Sequence, residues 1–188
     1  MKIIETDLPG CLVFEPRVFG DDRGYFFESF NQDKLAPLGL APRFVQGNVS
    51  RSARGVLRGL HYQWPNPQAK YVSVLEGEVY DVAVDIRRGS PTFGQWTAVV
   101  LSAENKRHFW IPEGFAHGFV TLSERAVFTY LCTATYDPAA DASVRWDDPQ
   151  LAIDWPIRDV QLSDKDTRAP LLADIPGERL PVYSPASA

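Results

Sequence analysis

The chain has 188 residues, 45% of them apolar and 12% aromatic, which is enough for one domain with a sizeable core and too hydrophobic for a disordered segment. A formal net charge of −5 and a pI near 5.2 exclude a general attraction to nucleic acid, so an anionic ligand must be met by a local basic cluster. No apolar run approaches the roughly 20 residues that cross a bilayer, so no membrane association is expected. The start, Met1-Lys2-Ile3-Ile4-Glu5, reads as no signal peptide, and the cytoplasm is the expected compartment. Cys11 and Cys132, far apart in sequence, are expected there as free buried thiols.

In chain order, residues 31 to 36 predict a turn or two of helix with Asn31 as cap and Pro37 as stop. Phe44, Gln46, Asn48 and Ser50 would share one face of a strand. Leu57-Arg58-Gly59-Leu60-His61-Tyr62-Gln63 is a turn-bounded β-type stretch carrying one of only three histidines. Tyr80, Val82, Val84 and Ile86 alternate with Asp81, Ala83 and Asp85, the period of a strand. Turns follow at Gly89-Ser90-Pro91 and Phe93-Gly94, then strand-rich residues 95 to 101, a turn at Pro112-Glu113-Gly114, and a strand over 126 to 133. A second short helix starts at Ser163, and the proline-rich tail from Pro176 is expected to pack irregularly or fray. Many short strands with such punctuation predict an antiparallel sandwich or barrel. One domain over 1–188 is expected, with a core of about 5–172 and an extension at 173–188, since no linker interrupts the pattern.

Pro112-Glu113-Gly114-Phe115-Ala116-His117 has the P-x-G-x-x-H spacing of the second cupin motif. That resemblance implies an all-β, double-stranded β-helix (a jelly-roll barrel with a ligand cavity) and a few short helices. Metal-binding cupins carry an H-x-H pair in the first motif, but here His61 is followed two positions on by Gln63. His108 sits in the charged stretch Asn105-Lys106-Arg107-His108, and a three-histidine site would need all three rings to converge. No metal is expected, and no cofactor, for there is no Gly-rich phosphate loop.

The remaining chemistry is acid and base. His61 is the candidate base, since an imidazole is easily tuned to move protons near neutral pH. Inverting a carbon needs a donor on the opposite face, and Tyr130, on the same strand face as Phe128 and Cys132, is the candidate. A carboxylate usually orients such a histidine. Asp166 could do so, or it could merely complete a capping box with Ser163. Asp81 could serve His117 in the same way, and spacing decides neither pairing. Arg58, Lys70 and Arg23 are the plausible anion holders, with Lys70 also able to stabilise an oxyanion. Regular alternation puts Arg58 and His61 on opposite faces unless Gly59 hosts a bulge.

Seven ordered blocks resemble the dTDP-4-dehydrorhamnose 3,5-epimerase family over roughly residues 5 to 172. The N-terminal ones are Asp22-Arg23-Gly24-Tyr25-Phe26-Phe27-Glu28, Gln46-Gly47-Asn48-Val49-Ser50 and Val56 to Gln63. The others are Gly77 to Asp85, Ser90-Pro91-Thr92-Phe93-Gly94, Ile111 to Phe119 and Leu162-Ser163-Asp164-Lys165-Asp166. The resemblance implies a homodimer that epimerises dTDP-4-dehydro-6-deoxy-D-glucose at C3 and C5 in the dTDP-L-rhamnose pathway. By family pattern His61 is the base paired with Asp166, Tyr130 the acid, and Lys70 and Arg58 lie near the keto sugar while His117 supports the site. Arg23, Glu28, Gln46 and Asn48 would contact the nucleotide and diphosphate, Phe26 and Tyr136 would pack on thymine, and Lys165 is a further substrate-binding candidate.

One departure stands out. Ser73 occupies a position where the family more often has arginine, which could weaken nucleotide binding unless Arg51 or Arg54 replaces it. Rival readings are a mono-epimerase acting at C3 or C5 only, a keto-sugar isomerase of the same barrel, and a non-catalytic sugar-nucleotide binding module.

Overall fold

The computed structural model describes residues 1–40 and 42–184. Its first strands are β1 (Lys2–Glu5), β2 (Leu12–Glu15), β3 (Val18–Asp21), β4 (Gly24–Phe27), β5 (Gln46–Ala53) and β6 (Leu57–Gln63). They continue with β7 (Lys70–Glu76), β8 (Glu78–Asp85), β9 (Trp96–Ser102), β10 (His108–Ile111), β11 (Phe115–Thr121), β12 (Arg125–Cys132) and β13 (Asp141–Ser143). One sheet runs β1-β2-β10-β7-β12-β5 and a second runs β13-β6-β11-β8-β9, while β3 and β4 pair only with each other. The pairings between these strands are antiparallel. The two large sheets face each other as a cupin-type jelly-roll barrel.

Among the described residues, α-helix is confined to α1 (Gln32–Leu35) and α2 (Asp164–Thr167). Asn31 caps α1 by accepting from the Asp33 N–H at 3.0 Å, as its side chain suggests. The α-helix ends at Leu35, before Pro37, as expected. The chain then makes a 3-10 turn over 36–38, where the missing N–H of Pro37 costs nothing, and Gly39 at φ 73° ends that turn.

The alternation in β8 predicts one apolar face and one polar face, and both are buried. Val79 and Ala83 join Val72, Val74, Phe109, Phe119 and Phe128 in the core between the sheets. Val82, Val84 and Ile86 pack outward beneath Leu151, Ile153, Trp155, Leu172, Ile175 and Leu180 of the C-terminal segment. The five-stranded sheet is therefore covered on both sides, and the polar set on β8 points Asp81 into the barrel, where it meets His117. The tail is anchored through residue 183: the Arg88 N–H donates to the Pro181 carbonyl and the Tyr183 N–H to that of Arg88.

Strand β6 is bulged where its chemistry lies. His117 pairs with His61 and Phe119 with Arg58, so Gly59 and Leu60 stand opposite the single residue Gly118. The extra residue breaks strict alternation, and Arg58 and His61 both reach one cavity. Only glycine fits here: a Cβ on Gly59, which has φ +119°, would lie 2.6 Å from both the Gly118 Cα and the His117 carbonyl oxygen. Gly59→Ala is expected to cost about 3 kcal/mol or more by chemical denaturation. Gly89→Ala, at φ +82° but with no neighbour within 4 Å, serves as the control, at about 1 kcal/mol.

Candidate active site

The barrel encloses a cavity of about 270 Å³. Arg58 and His61 reach it from β6, Lys70 from β7, His117 from β11 and Tyr130 from β12. Gln46 and Asn48 line it from the free edge strand β5, and Phe119 and Phe128, stacked 4.3 Å apart, supply apolar wall. Tyr136, Asp141 and Lys165 complete the lining.

Two imidazole–carboxylate pairs sit side by side on neighbouring strands. His61 Nε2 lies 2.5 Å from Asp166 Oδ1, and Asp166 is only 3% exposed. Burial alone would raise the Asp166 carboxyl, but hydrogen bonds from His61 and Ser163 outweigh it and hold the group below the ordinary range. A carboxylate only accepts, so His61 donates from Nε2 and its Nδ1 is the unprotonated nitrogen of the neutral ring. His117 Nε2 lies 3.0 Å from each Asp81 oxygen. Burial pushes His117 down and Asp81 up, which favours the uncharged forms of that pair.

Lys70 is buried at the cavity wall. Burial pushes its ammonium down, while the nearby Cys132, Asp81 and Asp141 oppose that. Its Nζ lies 3.5 Å from the His61 carbonyl oxygen, which puts the amine beside the candidate base. Burial raises the Tyr130 phenol, Cys132 adds to the rise and Arg58 opposes it, so the hydroxyl keeps its proton at neutral pH. Arg58 is steadied by donating from Nε to Ser52 Oγ at 3.1 Å.

The nucleotide candidates divide. Gln46 donates to Asn48 Oδ1 at 3.0 Å and accepts from the Tyr136 N–H at 2.7 Å, so these three form one wall. Arg23, Phe26 and Glu28 are not in this cavity. The first two belong to the hairpin β3–β4, which joins neither barrel sheet, and Glu28 pairs with Lys34 and Asn31 beside α1. Phe26 is 69% exposed, and Arg23 pairs with Asp21 at the hairpin turn. Ser73 also faces away from the cavity: it lies opposite His108 and Thr129 on the outer side of the six-stranded sheet. The arginine missing at Ser73 therefore takes nothing from this cavity, and neither Arg51 nor Arg54 lines it.

Two residues escaped the sequence reading. Asp141, which opens the three-residue strand β13, accepts from the Tyr136 hydroxyl at 3.2 Å and pairs with Lys165. Gln63, noted only for not being histidine, donates to the Asn66 and Thr135 carbonyls and accepts from the Asp137 N–H. No imidazole could make those three bonds at once, so this amide ties two loops beside the site. Among the described residues no three His, Cys, Asp or Glu side chains converge as a metal-binding group.

A family model described as dTDP-4-dehydrorhamnose 3,5-epimerase matches residues 5–174. The dTDP-4-dehydrorhamnose 3,5-epimerase of Pseudomonas aeruginosa is 57% identical over 176 residues, 93% of this chain and 97% of its own. That of Salmonella typhimurium is 56% identical over 175 residues, 92% of this chain and 96% of its own. The crystal structure of a dTDP-6-deoxy-D-glucose-3,5-epimerase from Legionella pneumophila in complex with dTDP-4-keto-L-rhamnose matches with a TM-score of 0.95 at 57% identity. That match covers 97% of this chain and 98% of the other.

The third histidine stands apart. His108 opens β10 rather than sitting in a charged turn, and its ring stacks on Tyr71 at 5.0 Å with Phe27 at its edge. Burial lowers it from 6.5 to about 4. The unfolded chain thus takes up this proton near pH 6.5 and the folded chain only near pH 4, so acidification through that window favours unfolding. His108→Phe is expected to remove about 3 kcal/mol of the stability lost between pH 6.5 and 4, read as the difference between two denaturation series.

Proposed function

The chain belongs to the dTDP-4-dehydrorhamnose 3,5-epimerase family, and from that premise we propose that it converts dTDP-4-dehydro-6-deoxy-D-glucose to dTDP-4-dehydro-L-rhamnose. The observation that carries the reading is an Asp166-held imidazole and a protonated phenol lining one cavity. His61 Nδ1 takes the proton from C5, the C–H electron pair moves into the C4–C5 bond, and the C4 carbonyl oxygen becomes an enolate. The ammonium of Lys70 balances that charge inside a partly dry pocket, where a fixed cation is worth far more than in water. As the enolate collapses, the Tyr130 hydroxyl delivers a proton to the opposite face of C5. After both groups reset their protons, the same sequence acts at C3, which is also α to the ketone.

Gln46, Asn48, Arg58 and Lys165 are the polar groups placed to hold the diphosphate and base, with Tyr136 offering a ring to thymine. Arg23, Phe26 and Glu28 serve a second copy of the chain. The support is an exposed aromatic hairpin paired only with itself and a cavity bordered by the free strand edge of β5. A homodimer in which each hairpin reaches the other cavity satisfies both.

In heavy water with the keto-sugar nucleotide, NMR is expected to report deuterium at both C3 and C5. His61→Ala should abolish both incorporations, and exchange that survives it would overturn the assignment of the base. Exchange at one carbon alone would identify a mono-epimerase. A dimer test uses mixed chains: Arg23→Ala/Phe26→Ala refolded with His61→Ala should restore about a quarter of wild-type activity, since half the dimers then carry one intact site. No recovery would mean that each hairpin serves its own chain.

A further inference from the structure

We propose that Ser163 is a positioning residue for the epimerisation: its hydroxyl pins one oxygen of Asp166 so that the other orients His61. The inference rests on the reading of His61 as base. Ser163 is the N-cap of α2 and accepts from the Asp166 N–H at 3.1 Å. The carboxylate can only accept, so the Ser163 hydroxyl donates to Asp166 Oδ2 at 2.8 Å.

A capping box would send the Asp166 side chain back to the Ser163 N–H. That bond is not made. The carboxylate instead turns outward from α2, with Oδ1 on His61 and Oδ2 on Ser163. Two anchors, one on each oxygen, prevent rotation about Cβ–Cγ, and the plane of the carboxylate sets the direction of the His61 ring. Four residues of helix are too few for the helix itself to fix a side chain this way. The Ser163 bond also draws density from the carboxylate, which weakens its pull on a protonated His61.

Other titratable groups near the pair are Lys165 beside Asp166, Lys70 from β7, His117 from β11 and Asp141 from β13. Substitution of Ser163 leaves all of them in place. The experiment compares Ser163→Ala, Ser163→Gly and Ser163→Thr in full pH–rate profiles with the keto-sugar nucleotide. Glycine caps a helix nearly as well as serine but has no hydroxyl, so it separates the cap from the hydrogen bond. Both Ala and Gly are expected to lower kcat about tenfold with KM within about twofold, and to move the acid limb of the profile upward by about half a pH unit. Threonine should restore both.

A loss in Ser163→Ala that glycine repairs would make Ser163 a helix cap and overturn the proposal. An unmoved acid limb, or no loss in either variant, would overturn it as well. His61→Ala run alongside keeps the readings apart. If it abolishes exchange while Ser163 variants behave as wild type, only the positioning role fails; if it leaves exchange intact, the assignment of the base fails.

Discussion

Asp166 meets His61 across 105 residues of sequence, and that one contact ties the C-terminal segment to the wall of the barrel. It can form only because the segment after β13 lies over the outer face of the five-stranded sheet. There Leu151, Ile153, Trp155 and Leu172 bury the apolar side of β8 and β11. Hydrophobic burial on one side of the sheet thus delivers a carboxylate to the chemistry on the other. Short helix α2 is the last link, and its cap is part of the contact rather than a separate feature.

The same double covering sets the electrostatics. With both faces of the sheet dry, Asp81 and His117 settle toward uncharged forms, and burial pushes the Lys70 ammonium beside them down while Cys132, Asp81 and Asp141 oppose that. A neutral dyad takes less of any positive charge on Lys70 away from an enolate than a charged carboxylate would. Tyr130, kept protonated by the same burial, can give a proton without competing as an anion. The proposed acid, base and electrophile are in this way separated by environment more than by residue type.

Much of this was legible in the sequence. Turn-punctuated strands gave an antiparallel sandwich or barrel, the P-x-G-x-x-H spacing at 112–117 pointed to the barrel, and the ordered blocks gave the family, because local punctuation and short motifs are sequence-near features. Gly59 already hinted at the bulge, since only glycine allows His117 and Gly118 to approach so closely. Pairings were not legible: whether Asp81 or Asp166 meets a given histidine depends on long-range register that no spacing encodes. At Ser73 the resemblance raised a loss of nucleotide binding, yet parity along β7 sets this residue on the face opposite Lys70, away from the cavity. His108 misled through its charged neighbours, for its ring is buried by the sheet and not by its local sequence. The family resemblance pointed to Arg23, Phe26 and Glu28, and one chain alone does not bring them to the cavity.

Which ring nitrogen of His61 carries the proton decides whether the barrel holds a poised base. Nitrogen-15 NMR of the ligand-free protein above the titration of the ring reports the tautomer directly. A proton on Nε2, lost or scrambled in Asp166→Asn, is the expected result. A proton on Nδ1, or a tautomer indifferent to residue 166, would contradict the account.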